Sequence, residues 1–154
     1  MNITIRTAEK KDIATLVKFR FMYMTDVEGE LSDKQIDALN TQLPQYFESH
    51  IGHDFTAYIA EDNGKAVSVI FMVRLEKPAS VHFLSGSTCY LMNVYTDAGY
   101  RRLGIASKIL DRLIEDAKSE GITCIDLSAT EMGKHVYLKK GFIERGNTEM
   151  RMEL

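Results

Sequence analysis

Between Asp97 and Leu110 the chain reads "DAGYRRLGIASKIL". Arg101 and Arg102 stand just before Leu103, Gly104, Ile105, Ala106 and Ser107, where an apolar helical pattern begins. The first turn of a helix carries backbone N–H groups without intrahelical partners, and with the helix dipole they favour an anion. Gly104 has no Cβ, so a bulky group can approach the main chain there, and Ala106 keeps the next turn low. Arginines add forked, charge-assisted hydrogen bonds to phosphate oxygens. The chemistry these residues describe is a phosphate or diphosphate cradle. Solvated arginines beside a packing glycine are the alternative, and the residues alone divide the two evenly. A Walker loop is excluded because Ile105 and Ala106 occupy the positions that need Lys and Ser/Thr. No GxGxxG occurs either, so the dinucleotide fingerprint is absent.

The surrounding pattern supplies elements to hold such a turn. "STCYLMNVYT" (Ser87 to Thr96) is a nearly continuous apolar run, as expected of a central strand buried on both faces. After it, Ile105, Ile109, Leu110, Leu113, Ile114 and Ala117 recur at helical spacing, and Gly121 marks the helix end. Upstream, "ITIRTA" alternates as a strand, and Ile13, Leu16, Val17 and Arg20-Phe21 follow helical spacing. "MTDVEGELSD" reads as a loop. Ser32 or Asp33 caps a second helix that Pro44 interrupts. Asp62-Asn63-Gly64 joins two strands as a hairpin. "ITCIDLSA" reads as a strand, "TEMGKHVYLKK" as a short helix, and "FIERGNTEMRMEL" as terminal strands around Gly146-Asn147. The order βααβββαβαβ predicts an α/β or α+β fold, with helices covering a mixed sheet.

Composition narrows the function classes. The 154 residues, read as a single domain over 1–154, carry a net charge of -3, which argues against a nucleic-acid or anionic-membrane partner. The longest apolar run, Ala66 to Val73, is too short to span a bilayer, and the N-terminus lacks a signal-peptide core. Cys89 and Cys124 read as free thiols in a reducing cytoplasmic setting, and no ligand spacing suggests a metal.

Arg101-x-x-Gly104-x-Ala106 resembles the Gln/Arg-x-x-Gly-x-Gly/Ala signature of the GNAT N-acetyltransferase superfamily. "NVYTDAGYRRLGIASKIL" is similar to that family's strand, turn and cofactor helix, and "SATEMGKHVYLKKGFIE" to its second motif. The resemblance covers nearly the whole chain. It implies a central sheet with a splayed strand pair and helices on both faces. It further implies acetyl-CoA as cosubstrate, its diphosphate held by N–H groups from about Arg102 to Ser107. The pantetheine arm would pair with a bulged strand at Met92, Asn93 and Val94. Tyr137 takes the position of the family's frequent general acid, although an aromatic on an amphipathic helix is by itself more often a core residue. Tyr100 and Tyr90 are weaker alternatives. Thr130 stands where many relatives place an asparagine that touches the arm. No carboxylate occupies the preceding strand, so no general base is assigned. Lone His82 and His135 read as surface residues, and Lys139-Lys140 as an exposed helix end or a contact for the 3′-phosphate.

The implied activity is direct attack by a primary amine on the thioester, with Val94 N–H polarising the carbonyl oxygen. The acceptor is a small molecule or a peptide. Phe19, Phe21, Met22, Tyr23 and Met24 would line its pocket, or simply pack the core. Asp26, Glu28 and Glu30 would border it, or form a solvated loop. The alternative is an acyl-CoA sensor without turnover. The family often dimerises, so a homodimer is the expectation by analogy alone, since the residues themselves do not give the oligomeric state.

Overall fold

The structure, a computed structural model, describes residues 1–154. In chain order the elements are β1 (Ile3–Thr7), α1 (Ile13–Glu28), α2 (Asp33–His50), β2 (Phe55–Asp62), β3 (Lys65–Glu76), β4 (Ser87–Thr96), α3 (Ile105–Ser119), β5 (Cys124–Leu127) and α4 (Lys134–Lys139). The strands form one sheet in the order β1-β2-β3-β4-β5. All pairs are antiparallel except β4 with β5, which are parallel and joined through α3.

Side chains alternate across the sheet with the two-residue strand period. Phe55, Ala57 and Ile59 of β2 and Val69 and Phe71 of β3 face one core, with Leu16 and Phe19 of α1 and Leu43 and Phe47 of α2. Tyr58 and Ala60 of β2 and Ile70 and Met72 of β3 face the other, with Ile105, Ile109, Leu110, Leu113 and Ala117 of α3. The expected mixed sheet with helices on both faces is therefore present. Each fully buried Leu, Ile or Phe contributes about 1.5–3 kcal/mol through lost apolar exposure.

Local chemistry fixes the entry to α1. Arg6 on β1 forks onto Asp12 at 2.8 and 2.9 Å and reaches Glu61 of β2 at 2.6 Å. Asp12 also accepts the Glu9 N–H at 2.8 Å. The pairing holds the Asp12 carboxyl below its usual range, the Arg6 hydrogen bond being the main cause and the Glu9 N–H a further one. Ser32 caps α2 through a reciprocal pair with Gln35. The β2–β3 turn places Asn63 and Gly64 at φ 49° and 83°, as a tight hairpin turn of the expected kind requires.

Three expectations are corrected. Met24 to Glu28 are not a loop but the last turns of α1, because no breaker occurs before Gly29, whose φ is 83°. Pro44 neither stops nor restarts α2, which runs through it from Asp33 to His50. No strand follows β5: residues 140–154 form neither helix nor strand. Met150, Met152 and Leu154 alternate in the strand manner but stay exposed. Alternation makes a strand only where a ladder partner and a face to bury exist. The tail meets β5 and its flank by side chains alone, Arg145 to Asp126 at 3.5 Å and Glu149 to Ser128 at 2.8 Å.

Candidate active site

The site begins with an irregularity in β4. From Val69 to Phe71 of β3 the chain advances two residues, while β4 advances three, from Tyr95 back to Met92. The extra residue makes a bulge, with Asn93 at φ 53°. Asparagine tolerates this left-handed conformation better than most residues. The bulge also inverts the faces of the strand. Before it, Leu91 faces the α3 core; after it, Tyr95, four residues on, faces the α1–α2 core.

On its other side β4 separates from β5. The parallel ladder runs from Thr88↔Cys124 to Leu91↔Leu127 and stops, whereas β4 continues to Thr96. Asn93 and Val94 thus lie outside both ladders, and Met92 keeps a partner only on β3. The expected splayed pair is here, and it places Met92, Asn93 and Val94 on its open edge. An extended, amide-rich molecule can satisfy such an edge as an added strand does.

Directly beyond β4 lies the turn that begins α3. Arg101 N–H bonds to Ala98 O at 3.4 Å, and regular helix bonding begins with Lys108 N–H to Gly104 O at 3.1 Å. Between them the N–H groups of Arg102, Leu103, Gly104, Ile105, Ala106 and Ser107 have no acceptor in the protein. Arg102 and Gly104 sit at φ 63° and 73°, and left-handed residues within a turn are the backbone form from which anion-binding nests are built. A Cβ on Gly104 would meet nothing within 4 Å, so its glycine answers to backbone conformation and to what approaches from outside. The two arginines divide. Arg102 is exposed and makes no hydrogen bond or ion pair. Arg101 is committed: Nε donates to Thr96 O at 2.9 Å, Nη2 to Asp26 Oδ2 at 2.7 Å, and the guanidinium lies over Tyr95. Its side chain ties α1 to β4 instead of standing free for a phosphate.

Tyr137 of α4 is buried, edge-on to Phe142. Its hydroxyl has no partner in the protein and is not sealed from open space. Burial pushes its pKa up to about 12, with a smaller push from Tyr23 of α1. The weaker candidates are otherwise engaged, Tyr100 donating to Asp62 at 3.1 Å and Tyr90 pairing with Ser128 at 2.8 Å. Thr130 Oγ1 accepts the Gly133 N–H at 3.2 Å ahead of α4, which leaves its own proton to donate. Lys140 pairs with Asp111 at 2.6 Å, and His82 and His135 are exposed. Cys89 is buried and its thiol is pushed up to about 12 by burial, far from a reactive thiolate.

The α1 side carries a residue that the sequence pattern did not single out as functional. Arg20 points at the bulge, its Nη1 3.4 Å from Asn93 Oδ1, and its guanidinium lies 5.8 Å from the Tyr23 ring. Burial lowers its pKa. Asn93 is buried, and its Nδ2 is the one sealed side-chain polar atom without a partner. The sequence signal for Arg20 was its place on the helix stripe of Leu16, Phe19 and Tyr23, where an apolar residue is the norm. Phe19 belongs to the core, edge-on to Tyr95, and not to a pocket wall.

The model of the acetyltransferase (GNAT) family matches residues 20–142. A predicted acetyltransferase from Clostridium acetobutylicum, solved with acetyl-CoA, superposes with a TM-score of 0.83 at 32% identity, covering 99% of this chain and 96% of that one. A GCN5-related N-acetyltransferase from Ralstonia eutropha JMP134 gives 0.83 at 18% identity, with 98% and 99% covered. A possible acetyltransferase from Clostridium difficile 630 gives 0.78 at 21%, with 100% and 99% covered. No curated protein sequence matches the chain. With its fold and most of its length matched in one family, the chain belongs to the GNAT acetyltransferases and is an acyltransferase.

Proposed function

We propose that the protein transfers the acetyl group of acetyl-CoA to a primary amine by direct attack. The observation that carries this reading is the run of unpartnered N–H donors from Arg102 to Ser107, in the turn that follows the open-edged strand β4. The donors suit a diphosphate, with exposed Arg102 beside them as a mobile countercharge. The open edge at Met92, Asn93 and Val94 suits the amide-bearing arm, and the Thr130 hydroxyl is a further donor proposed for that arm. Val94 N–H is the donor proposed to polarise the thioester carbonyl oxygen.

In the reaction the amine nitrogen forms a C–N bond at the acetyl carbon and sheds one proton to water, while the C–S bond breaks and its electron pair leaves with sulfur as a thiolate. Tyr137 serves that thiolate. A phenol held near 12 stays neutral at physiological pH, while a free thiol titrates near 8.5. Full proton transfer from Tyr137 is uphill, so the phenol acts as a hydrogen-bond donor that spreads the developing charge. Cys89 takes no part, being sealed and protonated. No group of three or more His, Cys, Asp or Glu is placed to hold a metal ion, and the proposed reaction needs none. No helix is long and apolar enough to cross a membrane. A cytoplasmic setting, where acetyl-CoA is made and used, fits the free thiols.

Calorimetry with acetyl-CoA, paired with a thiol-release assay over a panel of amines, tests the reading. Binding plus release that depends on the amine is expected. No heat at millimolar acetyl-CoA overturns it, and binding without release on any amine favours a sensor.

A further inference from the structure

Arg6, Arg20 and Arg74 are the half-buried arginines of the chain. Arg6 forks onto Asp12 and Glu61, and Arg74 onto Glu120 at 2.6 and 2.7 Å. Arg20 has no carboxylate within ion-pair reach. Its only hydrogen-bond partner is the neutral Asn93 Oδ1 at a long 3.4 Å. Its own helix offers no acid either: the positions three and four residues away are Leu16, Val17, Tyr23 and Met24. The nearest acid further along α1, Asp26, is held by Arg101. The remaining guanidinium N–H groups are not sealed, since Asn93 Nδ2 is the only sealed polar side-chain atom without a partner. A half-buried cation with open donors and no counter-ion is free to take an anion through forked, charge-assisted hydrogen bonds.

Resting on the transfer reading, we propose that Arg20 recognises the acceptor, and that the acceptor is a primary amine carrying an anionic oxygen group, a carboxylate or a phosphate. The position decides between acceptor and cosubstrate. Arg20 faces the Asn93 bulge, where the proposed arm presents neutral amides and a thioester. The phosphates of the cosubstrate belong at the start of α3, beside Arg102. An anion at Arg20 therefore enters with the acceptor, from the α1 side. Tyr23, one turn further along α1, has its ring 5.8 Å from the Arg20 guanidinium and forms a wall beside that anion. Arg20 holds the anion with forked, charge-assisted hydrogen bonds and so orients the amine.

The experiment compares matched pairs of amines: amino acids against their decarboxylated amines, and amino-sugar phosphates against the free amino sugars. The wild-type protein is expected to favour the anionic member by at least about tenfold in kcat/KM, the worth of one charge-assisted hydrogen bond. The pair that shows it identifies the group as carboxylate or phosphate. Arg20→Gln should erase the preference through KM while leaving acetyl-CoA affinity unchanged by calorimetry, and Arg20→Lys should keep part of it. In the wild type, simple carboxylates or inorganic phosphate should compete with the acceptor and not with acetyl-CoA. This holds the test even where a variant folds poorly. Transfer that favours the neutral amines, an undiminished preference in Arg20→Gln, or inhibition competitive with acetyl-CoA overturns the assignment and leaves the transfer reading standing. Acetyl-CoA binding with no transfer to any amine overturns both.

Discussion

The two ends of the site are built from different materials. At the start of α3 the donors are backbone N–H groups, held in place by the turn itself and needing no side chain to orient them. At the α1 side the donors are side chains: Arg20 and Asn93 meet across 73 residues of sequence, at a strand bulge that the sheet must first create. The first arrangement suits the part of a ligand that never varies. The second can be altered by one substitution without disturbing the fold, which suits a part that differs from one family member to the next. Breaking either end separately should therefore separate cosubstrate affinity from acceptor selectivity.

The largest effect is expected from Gly104→Val. A β-branched residue at φ 73° is strained, and escape from that conformation turns the neighbouring N–H groups away from a common point. Losing two charge-assisted hydrogen bonds at about 1.5 kcal/mol each weakens acetyl-CoA binding about a hundredfold by calorimetry. Acceptor preference, measured at saturating acetyl-CoA, should not change.

The α1 end is next. Asp12→Asn removes the carboxylate that seats the Arg6 fork and the Glu9 N–H where α1 begins. Arg6 keeps Glu61, so the loss is about 2 kcal/mol of stability, below that of a fully broken buried pair. Urea titration checks it. The Asp12 pKa is lowered in the folded protein by Arg6. Its stabilisation is therefore complete above the unfolded carboxylate value of about 3.9 and fades as pH falls through the lower folded value. Asp12→Asn should accordingly lose its stability deficit relative to wild type in strong acid.

The contrast between the ends also explains what was legible in the sequence. The α3 turn was readable because everything it needs is local: a buried strand, Arg101 to Ala106 in order, and a strong helical period. The hairpin at Asn63-Gly64 and the cap at Ser32 were readable for the same reason. The mixed sheet followed from element order, since β4, α3 and β5 in sequence ask for a parallel pair. Arg20 was not readable, because its missing counter-ion is a fact about residues distant in sequence. Nor was the engagement of Arg101, which looked equivalent to Arg102 until Asp26 arrived from the end of α1. The tail failed differently: Met150, Met152 and Leu154 keep a strand period with no ladder to join.

Tyr137→Phe comes third and addresses the leaving group, which neither end holds. It deletes one oxygen from a buried ring whose hydroxyl has no protein partner, so stability should barely move. If the phenol donates a hydrogen bond to the leaving thiolate, kcat falls by about 10- to 50-fold, the worth of one bond to a charged atom. If it transferred its proton outright, the fall would approach the ~10²–10⁴-fold of general acid catalysis. Presteady-state rates at saturating substrates decide between them. An unchanged rate removes Tyr137 from the mechanism.

The smallest effect is the most discriminating, because it sets apart neighbours that the sequence presents as a pair. Arg102 is exposed, unpaired and beside the donor nest, so Arg102→Gln removes a screened attraction to phosphate. Acetyl-CoA affinity should weaken about threefold at low salt and by less at high salt, since exposed charges are worth about 0.2–1 kcal/mol. Arg101→Gln removes instead the bonds to Asp26 and Thr96 that tie α1 to β4. Its effect should appear at the opposite end of the site. Acetyl-CoA affinity stays near wild type, while KM for the acceptor rises as α1, and Arg20 with it, loses its tether. The affinity changes read by calorimetry in 50 mM and 500 mM salt, set beside acceptor KM, distinguish the two arginines. If both variants lose cosubstrate affinity with the same salt dependence, then Arg101 leaves Asp26 to meet the diphosphate, and the division between a backbone end and a side-chain end does not hold.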